Sequence, residues 1–143
     1  MPFAHLAGVT TPGPPDTEVA DWFATFEAWI TGTVGWFVVS GAGTTDLVIR
    51  SEGELGAADQ LYVHLWQRGG LPHHLCACVQ DDAAGTHTTT WTSILDSNHA
   101  QFNYWMSADL DAIVICWKTA ITPMTTWIPV AGPTSIPLKP QVP

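Results

Sequence analysis

The residue types best suited to chemistry are concentrated in one run, His73-His74-Leu75-Cys76-Ala77-Cys78. Thiolate and imidazole are zinc ligands, and on an extended strand His74, Cys76 and Cys78 share one face. Consecutive same-face positions on a flat strand stand nearly 7 Å apart, however, so one ion would need a sharp bend to reach all three. No second CxxC or HxxxH supplies a fourth ligand. Cys76 and Cys78 therefore read as small core residues, and no metal or other cofactor is expected.

Paired acids occur twice, at Asp81-Asp82 and at Asp109-Leu110-Asp111. Two carboxylates can flank a glycosidic bond, and several oxygens can hold calcium. The first pair opens Asp81-Asp82-Ala83-Ala84-Gly85, a composition that favours a hairpin turn. The second precedes an apolar run, where Asp109 and Asp111 suit a cap or a bend. No GxSxG or cysteine-nucleophile signature is present, and Gly41-Ala42-Gly43 opens no helix, so a dinucleotide loop is excluded. His64 falls mid-strand and reads as a hydrogen-bonded structural residue. These residues assemble no catalytic site, and the chain reads as non-enzymatic.

Aromatic residues offer a different chemistry. Eight Trp in 143 residues are many, and Trp66, Trp91, Tyr104 and Trp105 are candidates to stack on sugar rings. The competing role for such side chains is core or interface filling.

The elements that must position these groups follow from the pattern. Pro2, Pro12, Pro14 and Pro15 make residues 1–15 an extended lead-in. Asp16 or Thr17 can cap a helix over 16–31, with Glu18 and Asp21 at its positive end and Gly32 stopping it. Val19, Trp22, Phe23, Phe26, Trp29 and Ile30 form its apolar face. Strands follow at 34–40, 47–51, 61–67, 74–80, 86–92, 102–106 and 112–119, with Gly, Asp and Asn between them at hairpin spacing. The expectation is one globular domain over 16–122. It is an antiparallel β-sandwich, or a partly closed sheet, of six or seven strands with the helix packed on it (mainly β, α+β).

From residue 123 the chain becomes proline-rich. Pro123, Pro129, Pro133, Pro137, Pro140 and Pro143 rule out a helix or a central strand and favour an extended arm over 123–143. Trp127, Ile128, Val130, Ile136 and Leu138 lie between them, so the arm is expected to lie along a surface and to bind a partner.

Charge limits the partners. The net charge is −9, and only Arg50, Arg68, Lys118 and Lys139 are positive. A nucleic-acid backbone or an anionic membrane calls for a basic stripe that four scattered cations do not make. Charged residues make up 12% of the chain, about half the usual share, which suits a subunit covered by others. The first seventeen residues show no charged n-region and no continuous apolar h-region, so no secretory leader is expected. The longest apolar run, AIVIC at 112–116, is of strand length, too short to span a bilayer. Three cysteines make no secreted disulfide framework, which points to synthesis in a reducing cytosol.

One larger pattern joins these parts. An aromatic-rich helix leads to a GW-containing strand, then to VIRSEGELG at 48–56, YVHL at 62–65 and FNYWMSADLDAIVICWK at 102–118. This order, over residues 17–119, resembles small virion structural proteins of tailed bacteriophages. The resemblance implies a tail, tail-tip or baseplate component, assembled in the host cytoplasm through contacts with other virion proteins and copies of itself. It carries over no catalytic residues. The alternative is a carbohydrate-binding module that recognises a host surface glycan.

Overall fold

A computed structural model of the chain describes residues 3–10, 17–53, 60–68, 73–80, 92–97, 102–110, 112–118 and 125–127. Among them are nine strands in two antiparallel sheets and one helix. The strands are β1 (Ala4–Val9), β2 (Phe37–Ser40), β3 (Asp46–Arg50), β4 (Tyr62–Arg68), β5 (His73–Gln80), β6 (Thr92–Ser97), β7 (Asn103–Ala108), β8 (Ile113–Lys118) and β9 (Thr125–Trp127). One sheet runs β1-β7-β8-β9, the other β2-β3-β4-β5-β6. The expected sandwich-like architecture with one helix is present.

Period-two alternation builds the interior. Leu47, Ile49, Val63, Leu65, Leu75 and Ala77 point inward from the five-stranded sheet, and Tyr104, Met106, Ile113, Ile115 and Trp117 from the four-stranded one. The helix α1 (Thr17–Trp29) adds Val19, Trp22, Phe23, Phe26 and Trp29 to the same cluster. Its apolar face is the one that the helical spacing picks out.

The helix does not stop at Gly32. It passes into a single π-helical turn, Ile30–Val34, and ends at Gly35, whose φ of +105° suits a residue without Cβ. The Gly35 and Trp36 N–H groups both donate to the Ile30 carbonyl, at 3.0 and 2.9 Å. Gly32 weakens a helix without forbidding it, and burial of Ile30 and Val34 carries the chain through. The first strand of the five-stranded sheet consequently begins at Phe37, three residues after the expected start.

Two strands come from segments without an expected place in a sheet. The lead-in contributes β1, which pairs with β7 in unbroken register from Ala4↔Ala108 to Val9↔Asn103. The proline-rich arm contributes β9, paired with β8 at Ile115↔Trp127. Pro123 and Pro129 fall outside the three residues of β9, so every N–H in that strand is intact, and an edge position suits a strand so flanked. β6 lies at Thr92–Ser97, and of the expected Thr-rich strand over 86–92 only Thr92 falls within the described residues.

Candidate functional site

The outer faces of the two sheets differ. On the five-stranded sheet, Val48, Cys76 and Cys78 point away from the core yet are buried. His64, the register partner of Cys78, has its Nε2 2.6 Å from Asp46 Oδ1 and its ring 4.5 Å from that of Trp66. This Asp–His–Cys neighbourhood would serve nucleophilic chemistry if the thiol ionised readily. Burial and then the neighbouring Cys76 push the Cys78 thiol up to about 11, so the thiolate is suppressed.

A chemical test follows. Iodoacetamide at pH 8 is expected to label Cys116, which is half-buried, well before Cys76 or Cys78, and peptide mass mapping reads the order. Rapid labelling of Cys78 would contradict its burial. The stability that Cys78 contributes is present below its ordinary value of 9.0 and is lost as pH rises through about 11.

Among the described residues no three His, Cys, Asp or Glu side chains cluster as a metal site. His73 and His74 lie in β5, but their side chains are outside the described set. Asp109 closes the β7–β8 turn. The Ala112 N–H donates to its carboxylate at 2.9 Å, and the Trp36 indole N–H donates to its carbonyl at 2.7 Å. Asp81, Asp82 and Asp111 lie outside the described residues.

The four-stranded sheet presents an open outer face. Its register sets three rows across β1, β7 and β8: Val9–Asn103–Lys118, Ala7–Trp105–Cys116 and His5–Ser107–Val114. Trp105 at the centre is 43% exposed and Val9 at the corner 53%. Ser107 Oγ and His5 Nδ1 are 2.7 Å apart. A depression of about 300 Å3 lies over His5, Ala7, Trp105, Ser107, Val114 and Cys116.

The four sugar-stacking candidates therefore do not form one platform. Trp105 is on this face, Trp66 is on the outer face of the other sheet, Tyr104 points into the core, and Trp91 is outside the described residues. Adjacent residues of a strand point to opposite sides, which separates Tyr104 from Trp105.

No family model, curated protein or solved structure matches this chain. The site therefore rests on its own geometry.

The edge of the same sheet is equally distinctive. The Thr10 N–H donates to the Phe102 carbonyl at 3.0 Å. Along the register, even-numbered residues of β1 therefore bond to β7, while the N–H and C=O of His5, Ala7 and Val9 point away from the sheet. The other sheet edges are less available. β2 has four residues and an irregular register between Val38 and Ser40, β6 carries Asp96, pairs with β5 in an interrupted register and runs close to β9, and β9 has three residues. β1 has six, with no Asp, Glu, Lys, Arg or Pro among them.

Sequence reasoning passed over His5, Ala7, Val9 and Ser107. The prolines around Ala4–Val9 mask a strand whose inner positions, Ala4, Leu6 and Gly8, carry little apolar weight. Of the expected partner-binding residues, Trp127 lies in β9, so the arm begins as a strand of its own domain. Ile128, Val130, Ile136 and Leu138 lie outside the described residues.

Proposed function

We propose that this chain is a non-enzymatic structural subunit of a tailed-phage particle, in its tail, tail tip or baseplate, and that β1 is a strand through which it joins other subunits. The observation that carries this reading is the outward backbone of His5, Ala7 and Val9 on a regular, uncharged edge. Natural edge strands are guarded by charge, proline or bulges, and an unguarded one is a template for strand addition from another chain. The low charge content and the resemblance to virion proteins over residues 17–119 support the same assignment. Exposed Phe3 and Val9, at either end of β1, give an added strand apolar ground to pack on.

Proline at position 7 tests this. The Ala7 N–H points away from β7, so Ala7→Pro removes a donor to an incoming strand and leaves the β1–β7 ladder intact. The variant is expected to melt within a few degrees of the parent and to lose self-association or incorporation into particles, read by size-exclusion chromatography with light scattering and by reconstitution with tail components. A parent chain that stays monomeric and binds no particle component overturns the proposal, as does an Ala7→Pro chain that assembles unchanged.

A further inference from the structure

We infer that the outer face of the four-stranded sheet binds a neutral pyranose ring, stacked on Trp105, as part of a surface glycan. This goes beyond assembly through β1, which uses the backbone edge of the sheet and leaves its face uncovered.

A pyranose has two kinds of surface. Its flat faces carry C–H groups, and its perimeter carries hydroxyls. A matching site is an aromatic plate with hydrogen-bonding groups at its rim. Trp105 supplies the plate. Its cross-strand neighbours are Ala7 and Cys116, both short, so the indole stands clear of the sheet. The hollow of about 300 Å3 beside it is of the size of a single sugar unit with its substituents.

The rim is polar on both sides. Same-face positions along a strand repeat at nearly 7 Å, so Ser107 and Asn103 sit one repeat to either side of Trp105 on β7. Ser107 Oγ lies 2.7 Å from His5 Nδ1, which holds the two side chains together at the edge of the hollow. Asn103 is exposed beside Lys118, its register partner. A serine, a histidine, an amide and an ammonium around one indole offer both donors and acceptors to hydroxyls.

Charge selects the class of sugar. The chain carries a net −9, and Lys118 is the single Lys or Arg of the three rows. An anionic glycan would meet the field of the whole chain, so a neutral one is preferred. A protein partner is the competing occupant of any exposed Trp. Here the floor of the hollow is apolar, from Leu6, Ala7, Met106 and Cys116, its volume of about 300 Å3 is that of one ring, and His5 and Ser107 stand at its margin, which suits a sugar better than a side-chain cluster.

The test is an NMR titration of the full chain, following the indole N–H of Trp105, which is assigned by its loss in Trp105→Phe and Trp105→Ala. The probes are neutral oligosaccharides of glucose, galactose, mannose and N-acetylglucosamine, with oligogalacturonate as the anionic counterpart. At least one neutral probe is expected to move that resonance saturably. Calorimetry should then show Trp105→Ala weakening binding by about tenfold or more, a stacking contribution of about 1.4 kcal/mol. Trp105→Phe keeps a ring and should retain most of the affinity, and Ser107→Ala should lose several-fold. Melting curves identify any variant that fails to fold, and Ser107→Ala then serves alone. The inference is overturned if no neutral probe shifts the resonance at millimolar concentration, or if oligogalacturonate binds more tightly than all of them. Unchanged affinity in Trp105→Ala also overturns it. Assembly through β1 is read separately by light scattering, so either proposal can fail while the other stands.

Discussion

Replacing Phe26 by Ala is expected to destabilise the domain by about 3–5 kcal/mol, the cost of deleting a buried aromatic ring. Phe26 is fully buried at the centre of an aromatic group. Its ring stacks on Trp22 at 5.0 Å and 14° and tilts against Trp29 at 6.3 Å, while Trp22 meets Trp117 of β8 at 5.5 Å and Phe23 edge-on at 5.2 Å. The ring therefore supports the contact that ties the helix to the four-stranded sheet. Bulky, rigid neighbours cannot collapse into the space left behind, so both the transfer term and the cavity term are lost. Ala24, on the exposed side of the same helix, is the control. Ala24→Ser changes helix propensity alone and should cost about 0.5 kcal/mol. Thr25 is half-buried, so Thr25→Ala should still fall below about 1 kcal/mol. Urea unfolding followed by tryptophan fluorescence measures all three. A loss at Phe26 no larger than that at Ala24 would mean that the helix does not bury this face.

The helix was legible because its signal is dense and local. Six apolar residues at helical spacing leave one solution for which side faces in, and all six are buried. The strands over 37–80 and 103–118 were legible for the same reason at period two. The ends were not. β1 carries Ala4, Leu6 and Gly8 on its inner side, too little apolar surface to mark a strand, and its place in the sheet comes from its partner β7. Gly8 has a tertiary reason as well: a Cβ there would lie 2.5 Å from the Tyr104 hydroxyl. In the arm, proline frequency hides three residues that keep every backbone donor.

The open face was half legible for a related reason. Trp105 was a candidate from its type, but alternation alone cannot say which side of a strand is outside. That is decided by Trp117 and Met106 packing inward, which sends Trp105, Ser107 and Cys116 outward. His5 reaches Ser107 across 102 positions of sequence, a separation no local pattern reports.

Gly41 and Gly43 separate two costs that a glycine can carry, and Gly41→Ala is the second large effect expected. Both lie in the turn between β2 and β3, with φ of +80° and +74°. The Thr44 N–H and hydroxyl both donate to the Gly41 carbonyl, at 3.0 and 2.7 Å, and the Gly43 N–H donates to the Glu27 carboxylate at 2.8 Å, which ties the turn to the helix. A side chain at either position meets the left-handed penalty of about 1–2 kcal/mol. At Gly43 that is the whole cost, because nothing lies within 4 Å of where the Cβ would stand. At Gly41 the Cβ would run into the Asp46 carbonyl, which is backbone and moves only if β3 moves with it. The added displacement is that of an overpacked site, about 1–3 kcal/mol, so Gly41→Ala should cost about 2–5 kcal/mol in total. Thermal melts of the two variants side by side give the comparison. Equal losses would show that the turn relieves the clash at Asp46 by local rearrangement. A larger loss at Gly41 assigns the glycine to close backbone approach at the start of β3, where Asp46 also holds His64.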